Sequence, residues 1–489
     1  MMEALPTAGL WMLGVLAALI VGTGLPVWAL LIGTASVFAA SGWMVGLIDA
    51  RVLSAISGRT LGLLEHDLLQ ALPLYVFIGI LLQRLTVADA LFSSLARLFR
   101  FTGAGTSVAA FGVGALVAPM NGSVASSSAM LARLVAPRLG QLNSASAIAL
   151  VSASSTIGVV VPPSLVLILL GDAMLRAHTE ASNLPGFVLG SQRIINTQDV
   201  FHAALLPAGA VLALWLLVAW WQGRGRPGAD PLTHEVVAPR QWLVAAIAAG
   251  ATVLLLTGVF MGKIFAVEAA ASGAFALMCT TLATRALDRL QWHRVLMDTL
   301  SLSGALLALL VGASTFSLVF RLWGTDMWIT QAMLASPLSP LVTAALVLVL
   351  VALCAWVLDA FEMIFVIIPI VAPPLIARLG DAQQTAVLLL LVLQLSFLIP
   401  PMGYAVMMAR ARSGLVNTSI WRTLRALLPF IAVQCAVTAL VFLQPWTVHQ
   451  LDTPAPPVSN EAPLSAQDLD QLMREMADQT STPDNGKKP

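Results

Sequence analysis

Charge is scarce in this chain. Asp, Glu, Lys and Arg make up 10% of its 489 residues, against 58% hydrophobic residues, and its mean hydropathy is +0.89. Soluble domains carry roughly 25% charged residues, so a water-facing globular surface is excluded and lipid is the solvent. Cysteine is almost missing. Cys279, Cys354 and Cys435 each lie inside an apolar run, where a thiol is a small packing group, so neither a disulfide framework nor a cysteine metal site is indicated. Enzyme signatures are lacking as well: His234-Glu-Val-Val has no second His at zinc-protease spacing, no Gly-x-x-x-x-Gly-Lys phosphate loop occurs, and the six His are scattered. The chain therefore reads as a protein that is not an enzyme and takes no organic cofactor. Basic and aromatic residues form no joint cluster, so no nucleic-acid partner is indicated. No Arg or Lys precedes the first apolar stretch, which runs from near Leu10. It reads as a retained span, not a cleaved leader.

What is present in abundance is membrane-compatible length. Spanning helices need ~20 apolar residues, and Leu205 to Trp221, Trp242 to Met261, Phe265 to Ala283, Leu341 to Leu358 and Leu427 to Leu443 approach or meet that almost without charge. The chain is read as an all-α polytopic membrane protein. The thirteen Trp suit interfacial belts and protein contacts. After Leu451 the composition turns to Asp, Gln, Pro, Ser and Thr, a solvated tail whose Ser465 to Asp478 stretch has capping spacing for one short helix and whose flanks favour disorder.

Polar connectors near Arg84 to Arg100, Gln222 to Arg240 and Arg285 to Arg294 divide the membrane region into two halves at about residue 230. With one re-entrant hairpin per half, these connectors share a side with Arg133, Arg138, Arg410, Arg412, Arg422 and Arg425. The opposite side keeps mainly Arg51, Arg59, Arg176, Arg193, Lys263, Arg321 and Arg378. The positive-inside rule puts the arginine-rich side in the cytoplasm and both termini outside.

Two segments interrupt plain apolar helix at corresponding places. In the first half, Pro119-Met-Asn-Gly-Ser-Val-Ala-Ser-Ser-Ser128 is followed by Pro137 and by Ser152-Ala-Ser-Ser-Thr-Ile-Gly-Val-Val-Val-Pro-Pro-Ser164. In the second, Asp359-Ala-Phe-Glu362 is followed by Pro369, Pro373 and Pro374, and then by Gln394-Leu-Ser-Phe-Leu-Ile-Pro-Pro-Met-Gly403. Paired prolines remove two N–H donors and clash with preceding carbonyls, which lipid cannot satisfy. Such a break is tolerated only against protein or a polar cavity. Half-helix N-termini can then face an anionic solute while unwound carbonyls and hydroxyls hold a cation.

Each position has a plainer reading. A lone Pro in a membrane helix is usually a kink, and Ser or Thr usually bonds back to its own helix. Asp359 and Glu362, three residues apart, share a helical face, binding a cation or else capping a hairpin tip. Asp172 reads as an anchor at a span end, and Arg410 and Arg412 as snorkelling side chains. It is the recurrence of a polar turn, a proline-marked return and a Pro-Pro break that favours a transport site.

On these residues the chain resembles the large membrane (permease) subunit of TRAP transporters, the tripartite ATP-independent periplasmic systems, in the branch described as mannitol or chloroaromatic-compound type. The likeness covers about residues 10 to 445. It rests on Val161-Pro-Pro-Ser-Leu-Val-Leu-Ile-Leu-Leu-Gly-Asp172, Leu358-Asp-Ala-Phe-Glu-Met-Ile-Phe-Val-Ile-Ile-Pro-Ile-Val-Ala-Pro373, Leu393-Gln-Leu-Ser-Phe-Leu-Ile-Pro-Pro-Met-Gly403 and Leu428-Pro-Phe430.

The resemblance implies an inverted-repeat elevator with two re-entrant hairpins and two broken helices, in the bacterial inner membrane. Its implied partners are a small TRAP membrane subunit, a periplasmic solute-binding protein and membrane lipid. Sodium-coupled import of a small organic anion is the implied function; a proton-coupled carrier and a binding-protein-independent channel or exporter are the alternatives. The implied layout is scaffold and arm at 1–104, first hairpin and broken helix at 105–200, and central scaffold at 201–300. A second arm at 301–340, second hairpin and broken helix at 341–412, a last span at 413–450 and the tail at 451–489 complete it. The implied substrate and ion positions are Asn121, Gly122, Ser123, Ser152, Ser154, Ser155, Gly158, Pro162, Pro163 and Ser164 in the first half. In the second they are Asp359, Glu362, Gln394, Ser396, Pro400, Pro401 and Gly403, with Na+ near Ser123, Ser154, Ser155 and Asp359. The family usually has Thr before the second Pro-Pro; this chain has Ile399, so the first break is the preferred sodium site.

Overall fold

The computed structural model describes residues 5–48, 58, 61–62, 67–121, 124–135, 144–162, 164–184, 195–223, 237–399, 403–414 and 418–452. All the regular elements among them are helical. Among the described residues seven helices are long and apolar enough to cross a membrane, or up to nine if two bent pairs each count as one span. The longest, Arg289–Leu322, has 34 residues and so runs ~50 Å, well beyond a ~30 Å hydrocarbon core. It starts on a reciprocal cap: Asp288 accepts from Gln291 N–H, and the Gln291 side chain accepts from Asp288 N–H.

The stretch 84–100, expected from its charges to be a connector, contains the helix Val87–Leu98, bent 67° from the preceding Leu69–Arg84 helix. Its apolar positions recur at helical spacing, burying Ala88, Leu91 and Phe92, and that periodicity outweighs the three arginines. Likewise Arg289 and Arg294 open the long helix instead of sitting in a loop. The apolar run expected from Leu341 to Leu358 ends as a helix at Cys354. At 15 residues it is too short to span.

Two hairpins follow from such short arms. Gly105–Asn121 is followed by Val124–Val135, and Pro340–Cys354 by Ala360–Leu379, which at 20 residues is itself long enough to span and whose start carries a π-helical turn at Met363–Ile367. After the first comes a broken helix, Ser144–Val160 with Leu165–Ser182, bent by 44°; after the second, at the corresponding place, come the helices Ala382–Ser396 and Tyr404–Ser413.

The halves interlock reciprocally. The return arm of the first hairpin packs on the 404–413 helix, the second arm of the other half's broken helix; the 368–379 part of the second return packs on 165–182. The last helix, Ile420–Leu443, lies on 144–160, and its counterpart Thr197–Gly223 lies on 382–396. Outside this centre the same exchange recurs: 27–44 packs on 289–322, and 266–283 packs on 67–84. Helices 197–223 and 420–443 meet at Trp215, fully buried, whose Nε1 donates to the Phe430 carbonyl at 3.0 Å while Phe111 completes the aromatic group. Trp11, Trp43, Trp221, Trp421 and Trp446 are exposed, where interfacial Trp belongs.

Helices 197–223 and 420–443 thus pack on the broken helices, whereas the sequence reading put the first with the central scaffold and the second in a separate last span. The proposed limit between residues 300 and 301 falls inside the 289–322 helix. The tail from Thr453, including the short helix expected in it, lies outside the described residues.

Each hairpin return ends on an arginine tied to the neighbouring arm. Arg133 pairs with Asp89 at 3.4 Å. Arg378 donates to the carbonyls of Ser336 and Leu338 and to the Thr343 hydroxyl.

Candidate functional site

At the first break, Ser164 joins the two helix ends. Its hydroxyl donates to the Val159 carbonyl at 2.9 Å and accepts from Leu167 N–H at 3.1 Å, serving as N-cap of the second arm. At the second break, Phe397 and Ala405 hold the positions of Val159 and Leu167 relative to Pro-Pro, and they bond directly, Ala405 N–H to Phe397 carbonyl, at 3.1 Å. Gly403 leaves room for the direct bond. A Cβ there would stand 3.0 Å from both the Phe397 and Ile399 carbonyl oxygens. Pro162 is buried; Pro163, Pro400 and Pro401 lie outside the described residues, as do Gly122 and Ser123. Asn121 ends the 105–121 helix.

Hydroxyls crowd the first arm of the first broken helix. Ser152, Ser154, Ser155 and Thr156 are all buried and donate to carbonyls of their own helix: Ser152 to Ile148, Ser154 to Leu150, Ser155 to Ser152 and Thr156 to Ala153. Ser396 does the same with Val392. These oxygens keep lone pairs free to accept. Ser155 already accepts from Ser128 of the hairpin return at 2.8 Å. Gly158 lets the broken helix touch the hairpin: a Cβ there would clash with Ala118 and lie 2.8 Å from Pro119 N. Its role here is close backbone approach.

Gln394 reaches across the halves. Its Nε2 lies 3.4 Å from the Thr156 carbonyl, and its Oε1 accepts from Gln434 Nε2 at 2.8 Å. Gln434 also donates to the Leu391 carbonyl, and its own Oε1 is buried with no partner among the described residues. Gln434 escaped the sequence reading. The signal was there: it is the one amide inside the apolar run from Leu427 to Leu443.

At the second hairpin, Asp359 is the N-cap residue and Glu362 Oε2 accepts from its N–H at 3.0 Å. Of the two roles expected for the pair, capping is occupied by Glu362. Asp359 Oδ1 is enclosed with no partner among the described residues. Tyr404, opening the second arm of the second broken helix, lies within electrostatic reach of Asp359, Glu362 and Arg412.

A separate cleft of about 500 Å³ runs between the 165–182 helix, the 289–322 helix and the π-turn of the second hairpin. Asp172, expected at a span end, is instead inside its helix, paired with Arg176 at 3.0 Å and facing this cleft. Glu180 bridges it to Arg321 at 2.6 Å.

Comparison with known proteins gives this geometry a context. The family model described as tripartite ATP-independent periplasmic transporter, DctM component, matches residues 13–447. The isethionate TRAP transporter permease protein DctMQ of Oleidesulfovibrio alaskensis is 23% identical over 77% of this chain. The sialic acid TRAP transporter permease protein SiaT of Haemophilus influenzae is 22% identical over 86%. The chain spans 57% and 65% of those two proteins. It spans 88% of the C4-dicarboxylate TRAP transporter large permease protein DctM of Rhodobacter capsulatus, at 22% identity over 81% of this chain. In fold it is similar to the YdaH transporter of Alcanivorax borkumensis, whose crystal structure is described as having an unusual topology. That likeness has a TM-score of 0.59 at 15% identity and covers 91% of this chain and 99% of the other.

Proposed function

The chain belongs to the DctM component family of tripartite ATP-independent periplasmic transporters, a family of transporter permeases and not of enzymes, and on that premise we propose that it imports a small organic anion by sodium symport. The observation that carries this reading is the recurrence of the broken helix. The same two backbone positions are rejoined across each Pro-Pro pair, by Ser164 in one half and directly in the other, beside a buried hydroxyl and amide cluster. That arrangement offers helix N-termini to an anion and oxygens to a cation. Isethionate, sialic acid and C4-dicarboxylate, the solutes named for the relatives, are all organic anions. A small carboxylate is the solute class we assign.

Sodium would be held near Ser123, Ser154 and Ser155 at the first break, and near Asp359 at the second. Movement would be an elevator stroke of inverted repeats, with the hairpins, the broken helices and the two helices packed on them as the mobile part. The partners would be a small membrane subunit and a periplasmic solute-binding protein, in a bacterial inner membrane with both termini periplasmic. Within the family we assign the chain to the mannitol or chloroaromatic-compound branch, a reading supported by its resemblance at Val161 to Asp172 and Leu393 to Gly403.

Uptake into proteoliposomes holding this chain, its small subunit and a loaded binding protein tests the reading, with labelled succinate, isethionate and sialic acid as probes. Uptake that follows an imposed sodium gradient is expected. Uptake indifferent to sodium but driven by a pH gradient would transfer the coupling to protons, a second reading favoured by the enclosed Asp359 Oδ1, which has no partner among the described residues. No uptake under any gradient would remove the carrier reading.

A further inference from the structure

The cleft between the 165–182 and 289–322 helices is walled by two polar stripes. Asp172, Arg176 and Glu180 recur every fourth residue on one helix; Ser314, Ser317 and Arg321 recur at three- and four-residue spacing on the other. Each stripe is therefore one helix face. The remaining walls are mostly apolar, among them Leu169, Leu310, Ile364 and Phe365. The stripes are joined where Glu180 meets Arg321. Ser314 and Ser317 make no hydrogen bond among the described residues although both face the cleft, whereas Thr299 and Thr315 of the same helix bond back to their own carbonyls.

From this geometry we infer that Glu180 and Arg321 are a breakable latch between the first broken helix and the long arm helix, and that Ser317 and Ser314 are the next stations for the Glu180 carboxylate when the two helices slide. From residue 321 to residue 314 is about 10 Å along a helix, or roughly 5 Å for each turn, and packed elements shift past one another in such one-turn steps. A carboxylate leaving Arg321 would need a donor at each turn, since an unpaired charge among apolar walls is costly. The two idle hydroxyls supply donors. The latch suits a moving contact because both partners are about one-third exposed, with side-chain values of 32% for Arg321 and 38% for Glu180. Such a pair is parted more readily than a fully buried one.

The inference rests on the elevator reading, and its test is independent of the solute. Cys279, Cys354 and Cys435 are replaced by Ala, spin labels are attached through N183C after the 165–182 helix and H293C on the 289–322 helix, and the distance between them is measured by pulsed electron resonance on the full chain with its small subunit. The parent is expected to show one main distance. Removing the guanidinium with R321Q should add a second population displaced by roughly one helical turn, about 5 Å, and the exchange E180R with R321E should return the distribution to one. Identical distributions in parent and R321Q, or two populations persisting in the exchanged pair, would overturn the latch. Doubling S314A and S317A in the R321Q background should suppress the displaced population; its persistence removes the stations. Failure of the carrier reading would show separately, as absent uptake by the unlabelled wild-type complex.

Discussion

Gln394 Nε2 lies 3.4 Å from the main-chain carbonyl of Thr156, and each of these residues stands six positions before the Pro-Pro pair of its own half. The two broken helices thus meet at equivalent points. Gln434 supplies the third corner, donating to Gln394 Oε1 at 2.8 Å.

A buried amide pair makes an asymmetric prediction. Gln434→Leu strands Gln394 Oε1 and should cost about 1–3 kcal/mol of stability. Joining it to Gln394→Leu removes both polar ends and should recover most of that loss. Unfolding of the purified single and double variants in detergent measures the coupling, and additive losses would show that the pair is not a unit.

The two breaks should respond to opposite substitutions. Ser164→Ala deletes both the cap on Leu167 and the bond to Val159, an expected loss of about 1–2 kcal/mol. Gly403→Ala adds a Cβ between two carbonyls and should cost about 1–3 kcal/mol by overpacking. Thermal midpoints of the two variants against wild type decide it; a neutral Gly403→Ala would mean that the Ala405 to Phe397 bond is not maintained.

Alkaline pH should loosen one end of the second broken helix. His449 bonds Asp381 through Nε2 and Asp452 through Nδ1, each at 2.7 Å, and Asp381 caps Gln384 N–H at the start of the 382–396 helix. The bond to Asp381, more than the Asp452 contact, pushes the imidazole from 6.5 up to about 9. Its protonated form is favoured in the folded state, so the contribution is complete below pH 6.5 and is lost as pH rises through about 9. Stability should decline across that window in wild type and stay flatter in His449→Gln. Parallel pH profiles for the two proteins would dismiss this contact.

Asp359 separates structure from coupling. Asp359→Asn keeps the shape and leaves the Glu362 cap in place, so folding should survive while ion-driven uptake falls tenfold or more, about 1.4 kcal/mol or above. Retained uptake with an unchanged ion dependence would take Asp359 out of the coupling site.

Much of this was legible from composition and spacing. The membrane class followed from apolar length, and the two breaks followed from Pro162-Pro163 and Pro400-Pro401 because a missing N–H is a local fact. Non-local facts were not legible. Nothing near Gln434 announces that its partner is forty residues upstream, and nothing near Ser164 tells that its hydroxyl spans the break when the equivalent gap at Gly403 closes unaided. Charges misled where helical periodicity was stronger, as at Val87–Leu98. Asp172 misled for another reason: a carboxylate beside Gly171 resembles a span end, but its helix continues to Ser182, with Arg176 one turn on paired to it.

The exchange of partners between halves also has a cost in time. The 165–182 helix waits for the 368–379 segment, about 190 residues further along the chain, which at ordinary translation speeds is roughly 10 to 40 s. For most of that interval, until the 289–322 helix is made, the nascent first half carries Asp172, Arg176 and Glu180 on a helix face without its opposite wall. A ribosome stalled midway would present the quality-control machinery with a half-protein whose charged face has no protein to meet.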